Sequence, residues 1–220
     1  MRQTLRYLAV VCTVVSAMCG LASSAQAQFV AVAPVRGSTD SVSQTGGQLV
    51  YFAKRPKLGS MTRLGLGFTT GVGRTIGVTG YSCGGFAPAE DCEREPLEVT
   101  RQLATVSLGL AGHLYRRSSA AVLVSGDAVL GAASISQFGT VSRRREGQSK
   151  PGVGVRIGTE AWWFPVRRWP VGLQLGASAE GLAMIGTPFC ADCWDPFNGN
   201  VGLLKGFVGV VVGRRSRMDF

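Results

Sequence analysis

An all-β chain, an eight-stranded antiparallel up-and-down barrel of the membrane-spanning kind, is the fold this sequence predicts. Three observations predict it. Apolar residues alternate with small or polar ones over runs longer than the 5–6 residues typical of a globular strand. Glycine supplies 31 of the 220 residues and recurs too often for stable helices. The connections between runs alternate between short and long.

The first 27 residues stand apart. Arg2 and Arg6 precede the apolar run "YLAVVCTVVSAMCGLA", and "AQA" ending at Ala27 supplies small residues at cleavage positions. This is the pattern of a signal peptide, with a mature start expected at Gln28. The apolar run is shorter than the ~20 residues of a membrane-spanning helix. Residues 28–220 then form one barrel domain. Its charge, after loss of Arg2 and Arg6, is 21 Lys+Arg against 13 Asp+Glu, or +8. For an exported chain that balance points to membrane phosphates rather than nucleic acid.

The elements follow in order. Two short runs open the series, 29–36 ("FVAVAPVR") and 47–54 ("GQLVYFAK"). Pro34 in the first suits only an edge or a strand end, because it lacks an N–H. In 61–81 the even positions Leu64, Leu66, Phe68, Val72 and Ile76 are large and apolar. The odd positions are mostly glycine and threonine, with Arg63 among them. In 98–115 the apolar set Val106, Leu108, Leu110 and Leu114 opposes Thr105, Ser107, Gly109, Ala111 and His113. The run 120–137 alternates poorly, and a bulge is expected there.

The last three runs alternate cleanly. In 151–165, Val153, Val155, Ile157, Ala161 and Trp163 oppose Gly154, Arg156, Gly158, Glu160 and Trp162. In 171–187, Val171, Leu173, Leu175, Ala177 and Ala179 oppose Gly172, Gln174, Gly176, Ser178 and Glu180. In 200–216, Leu204, Val208, Val210 and Val212 oppose Lys205, Gly209 and Gly213. Each long run exceeds the ~9–11 tilted residues that cross a bilayer. A face this apolar, backed by one this small, suits hydrocarbon outside and side chains inside. Hydrocarbon also demands closure, since an open edge leaves backbone groups unsatisfied.

Three connections are short and basic: 54–59 ("KRPKLG"), 116–119 ("RRSS") and 166–170 ("VRRWP"). Four are expected to be long: 38–47 ("STDSVSQTGG"), 82–96 ("SCGGFAPAEDCEREP"), 139–151 ("GTVSRRREGQSKP") and 188–199 ("PFCADCWDPFNG"). Taken together, the signal, eight alternating runs, short-and-long connections and terminal Phe220 resemble the small outer-membrane barrels of Gram-negative bacteria, the OmpA, OmpX and opacity-protein type. The resemblance spans essentially all of 28–220 and is architectural. It implies an integral outer-membrane protein, monomeric, with short turns in the periplasm and long loops outside. It also implies that the last strand, with Val208, Val210, Val212 and Phe220 on one parity, is the signal read by the barrel-assembly machinery. Outer-membrane lipids and lipopolysaccharide are the partners expected; no nucleic acid and no cofactor is.

Candidate chemistry is sparse. With Cys12 and Cys19 in the signal, Cys83, Cys92, Cys190 and Cys193 remain, all in expected external loops. Disulfides are the reading for an oxidising compartment. Local pairing, Cys83 with Cys92 and Cys190 with Cys193, is simplest, and cross-loop pairing stays open. "CADC" lacks the βαβ context of a redox motif, and a zinc site would need both pairs to converge. His113 is the only histidine, and on this map it faces the lumen at the periplasmic end. That is the wrong place for an enzyme acting on outer-leaflet lipids. "GLGFTTG" and similar runs miss the dinucleotide spacing and open no helix. A lipocalin-like soluble barrel is the remaining alternative, disfavoured by inner faces filled with glycine.

Buried charges need partners. Asp127, Arg156, Glu160, Glu180 and Lys205 fall on the small-residue face, and an interior ion-pair network is expected from them. Arg143, Arg144 and Arg145 in "SRRREGQSK" form an external basic run suited to lipopolysaccharide phosphates or an acidic partner.

Overall fold

A computed structural model describes residues 27–39, 42–54, 60–77, 95–117, 119–143, 145–166, 169–185 and 200–213. The eight strands are β1 (Ala27–Thr39), β2 (Val42–Lys54), β3 (Ser60–Gly77), β4 (Glu95–Arg116), β5 (Ala120–Gly139), β6 (Arg145–Trp163), β7 (Val171–Met184) and β8 (Asn200–Gly213). They form one closed ring in sequence order, every neighbour antiparallel, with β8 closing onto β1. The fold class read from the alternation is therefore the observed one.

The register sets the size of the barrel. Following cross-strand partners from Arg36 through β2, β3, β4 and β5 leads to Ser149 on β6. Going the other way, through β8 and β7, leads to Thr159 on the same strand. The ring thus closes with an offset of ten residues. Eight strands with that offset tilt by about 40° and enclose a radius of roughly 8 Å, given ordinary strand rise and spacing.

Burial follows the alternation along every strand. Val153, Val155, Ile157 and Trp163 point outward and are exposed, while Arg156, Glu160 and Trp162 point inward and are buried. From Val153 to Trp163 the outward face spans ten residues of tilted strand, roughly 25 Å of height, the depth of a hydrocarbon-facing band. The interior is layered. Near the start of β1 and the end of β8, Phe29, Phe52, Trp162 and Phe164 pack with Val50, Leu123 and Val211. Phe29 and Trp162 ring centroids lie 5.0 Å apart, and those of Phe52 and Trp162 4.9 Å, edge to face. Toward the other end, Leu97, Val99, Leu103, Ile135, Leu182 and Leu203 form an aliphatic cluster. Asp127, Glu180 and Lys205 lie on the strand segments between these layers, while buried Glu95 and Gln137 lie beyond the second.

Several expectations need correction. Pro34 is neither at an edge nor at a strand end; it sits mid-strand opposite Gly47. The β1–β8 ladder passes from Val32↔Val210 to Val35↔Phe207, and this gap accommodates the missing N–H. β5 carries no bulge: its odd positions are inward throughout. Its period is masked because Leu123, Val129 and Ile135 are apolar on the inner face while Gly126 and Ala128 are small on the outer. Register shifts lie instead on β4, between His113 and Tyr115, and at the start of β1, between Ala27 and Phe29.

Two expected long loops are largely strand. β1 and β2 pair out to Thr39↔Val42, and β5 and β6 out to Phe138↔Arg145. A ladder can continue beyond an apolar face, because its hydrogen bonds need no apolar side chains. Strands β3 to β6, of 18, 22, 20 and 19 residues, are consequently longer than the other four, of 13 or 14. We call the end with these extensions the loop end, and the opposite one the terminal end.

Candidate functional site

Inside the barrel one cross-strand row carries four of the eight buried charged side chains among the described residues. Partner by partner it reads Phe52 on β2, Arg63 on β3, Gly109 on β4, Asp127 on β5, Arg156 on β6 and Glu180 on β7. Neighbouring side chains on one face of a sheet stand close enough to interact. Asp127 therefore meets Arg156 directly: Arg156 Nε donates to Asp127 Oδ2 at 2.8 Å. Arg156 Nη1 also faces Glu180 Oε2 at 4.0 Å, and Arg156 donates to the Ser107 hydroxyl.

Gly109 makes the next link. A Cβ there would overlap the backbone of Gly126 and the Asp127 carboxylate. Without it, Arg63 reaches past β4 and donates from Nη1 to Asp127 Oδ2. Gly65 plays a similar part, since a Cβ on it would crowd Ser107 Oγ and Arg156 Nη2. The glycines on the inner face thus leave room for long charged side chains in a narrow lumen.

The chain of charges extends at both ends. Arg63 Nε donates to Glu160 Oε1 at 3.1 Å, and Glu160 Oε2 accepts from Gln174 and from the Trp162 indole N–H, the latter at 3.3 Å. At the other end Lys205 Nζ donates to Glu180 Oε2 at 2.7 Å. The order of contact is Glu160, Arg63, Asp127, Arg156, Glu180, Lys205, strictly alternating in sign. Three cations balance three anions, and all six are at most 6% exposed. Arg63 also lies 5.7 Å from the Phe52 ring centroid, which ties the chain to the aromatic layer.

The five residues singled out for an interior network, Asp127, Arg156, Glu160, Glu180 and Lys205, all lie in this cluster. Arg63, noted in the sequence only as an inner-face charge, bridges its two halves. Ser107, Trp162 and Gln174 were missed as partners. Parity alone puts Arg63 on the inner face; that it reaches Asp127 across Gly109 follows from the register. His113 is on the inner face at the register shift, toward the terminal end. Among the described residues no group of three His, Cys, Asp or Glu side chains could hold a metal ion.

A second feature occupies the loop end. The buried Glu95 carboxylate, on the first residue of β4, holds the β5–β6 turn. Its Oε2 accepts from the backbone N–H of Val141 and of Ser142, each at 2.9 Å, and its Oε1 accepts from Ser142 Oγ at 2.7 Å. Thr140 adds its N–H and hydroxyl to the Pro96 carbonyl. Arg143, with φ of 56°, leaves this turn exposed, and Arg145 is an exposed first residue of β6 rather than part of a loop. Arg144, the four cysteines 83, 92, 190 and 193, the expected signal peptide up to residue 26 and Phe220 lie outside the described residues. Val208, Val210 and Val212 face outward on β8.

No protein-family model matches the chain, and no curated relative does. Solved structures match it in fold. A major outer membrane protein from Thermus thermophilus superposes with a TM-score of 0.53 at 17% identity, covering 84% of this chain and 98% of that one. Neisserial surface protein A gives 0.48 at 14%, covering 86% and 96%. Ail, the attachment invasion locus protein of Yersinia pestis, gives 0.42 at 13%, covering 84% and 96%. The likeness to the Thermus protein shows that the chain has the fold of a bacterial outer-membrane barrel.

Proposed function

We propose that this chain is an integral protein of the bacterial outer membrane, a monomeric barrel filled by its own side chains, whose work is structural and surface-interacting rather than catalytic. One observation carries the reading: the alternating chain of six buried charges lies between two apolar layers inside a barrel of eight strands. Eight strands leave an interior just wide enough for side chains. The six charges use one another as partners, and no substrate is needed to neutralise them. The outward face supports membrane insertion, since an exposed belt of valine, leucine and isoleucine suits hydrocarbon and would be a liability in water.

In this reading the loop end faces the cell exterior and the terminal end the periplasm. Lipopolysaccharide and outer-membrane lipids are the lateral partners. Arg143 and Arg144, with Arg145 at the start of β6, contribute a basic contact, and Cys83, Cys92, Cys190 and Cys193 form disulfides in the two longest connections. Phe220 and the outward valines of β8 serve recognition by the assembly machinery.

The experiment is fractionation combined with gel migration. The protein should stay with the outer membrane through salt and carbonate washes, and should run at a different apparent mass unheated than boiled. Release by those washes would place it among soluble barrels and overturn the proposal.

A further inference from the structure

The outer wall changes character at one cross-strand row. Phe68, Ala104, Ala132 and Pro151 are successive partners on β3 to β6, facing outward. Two residues farther toward the loop end the outward row is Thr70, Gln102, Ser134 and Ser149, and the row beyond it holds Val72, Thr100 and Ser136. Followed back, the polar row begins at Arg36 on β1. The wall ends in Arg74, Glu98, Phe138 and Arg145, again one cross-strand row. Short hydroxyl and amide side chains therefore cover β4 to β6 where they rise from the apolar belt, beside the exposed Val72 and Ile76 of β3, with three arginines against one glutamate along the margins.

We infer that this outward face of β3 to β6, with Arg36 at its foot, is a binding wall for the phosphorylated saccharide of an outer-leaflet glycolipid. The inference rests on the proposed membrane placement and goes further by locating the contact on the side of the barrel rather than on its tip. Continuity supports it: acyl chains that cover Phe68 and Leu130 belong to lipids whose head groups stand against Thr70 and Ser134. Chemistry supports it too. Short hydroxyls lose little rotamer freedom on binding and match the donors and acceptors of sugars. Arg36, Arg74 and Arg145 are exposed on this face, and a guanidinium engages phosphate in bidentate fashion. Arg36 is placed at the upper margin of the apolar belt and has no carboxylate partner among the described residues, so a lipid phosphate is its natural counter-ion.

The test uses the full chain folded in phospholipid nanodiscs and labelled lipopolysaccharide. A variant carrying Arg36→Gln, Arg74→Gln and Arg145→Gln should bind more weakly by about fivefold for each arginine, with a shallower salt dependence. A second variant, Thr70→Val with Ser134→Val, should lose affinity for lipopolysaccharide while binding of phosphatidylglycerol is unchanged, separating saccharide from simple phosphate recognition. Unheated gel migration, compared with the parent, reports folding of each variant. Folded variants that bind lipopolysaccharide as tightly as the parent would show an ordinary solvated wall and overturn the inference. Failure of the parent chain to enter nanodiscs would instead overturn the membrane placement.

Discussion

Arg63 and Glu160, 97 positions apart in the chain, meet inside the barrel with Arg63 Nη2 3.0 Å from Glu160 Oε1. Their strands, β3 and β6, are not neighbours in the ring. The contact therefore crosses the lumen, and through Arg63 it joins Glu160 to the row that holds Asp127, Arg156 and Glu180.

Removing Arg63 should be costly. Arg63→Met keeps an unbranched, flexible stem but strips Glu160 and Asp127 of a shared cation. Breaking a buried pair from one side typically costs about 3–5 kcal/mol, because the remaining charge stays buried. Urea unfolding of the protein in lipid vesicles should show a loss of that order. The double variant Arg63→Met with Glu160→Gln should recover part of it, since one orphaned anion is then neutral.

Gly109 should resist substitution where Gly112 tolerates it. Gly109→Val forces a side chain into the space used by Asp127, so the Arg63–Asp127 link must open. A destabilisation of about 1–3 kcal/mol is expected for overpacking of this kind. Gly112 faces outward on the same strand with nothing near a Cβ, and Gly112→Val should be neutral or slightly stabilising in a bilayer. Equal effects at the two positions would mean that strand flexibility, rather than the inner row, sets the requirement.

Legibility in the sequence followed the same division between faces. Period two is plain in β3, β6, β7 and β8, where one face is apolar and the other is glycine, serine or charge. It fades in β5, whose inner face carries Leu123, Val129 and Ile135 as well as Ser125 and Asp127. Strand ends at the loop end were hidden for a different reason: outward Ser134, Ser136 and Ser149 alternate with inward residues, but nothing in their polarity marks a strand. Individual charges could be assigned to the inner face by parity alone. Their contacts could not, because register is a property of strand pairs and a slip by one residue reverses every face. Glu95 was counted within a loop, and its role as the anchor of a turn 46 residues away follows only from the fold.

Glu95→Gln should loosen the β5–β6 turn without unfolding the barrel. The carboxylate accepts three hydrogen bonds from the turn, and an amide oxygen can replace only some of them. Amide exchange at Val141 and Ser142 should accelerate by about tenfold, equivalent to roughly 1.4 kcal/mol of local protection. Exchange at Val155 and Leu173, deep in the ladder, should be unchanged. Faster exchange throughout would assign Glu95 a global role instead.

Deletion of Phe220 should slow assembly more than it lowers stability. Chains lacking the last residue should accumulate uninserted in cells, yet the fraction that folds in vitro should unfold at nearly the parental urea concentration. Equal loss in both measurements would remove the assembly role.

The most direct test of the account is electrical. In the proposed reading the chain from Glu160 to Lys205 and the apolar layers flanking it fill the lumen, so purified, folded protein added to a planar lipid bilayer should give no large, steady single-channel current. Long-lived open channels of reproducible conductance from the pure protein would contradict a side-chain-filled barrel, and with it the reading of the six charges as one another's partners.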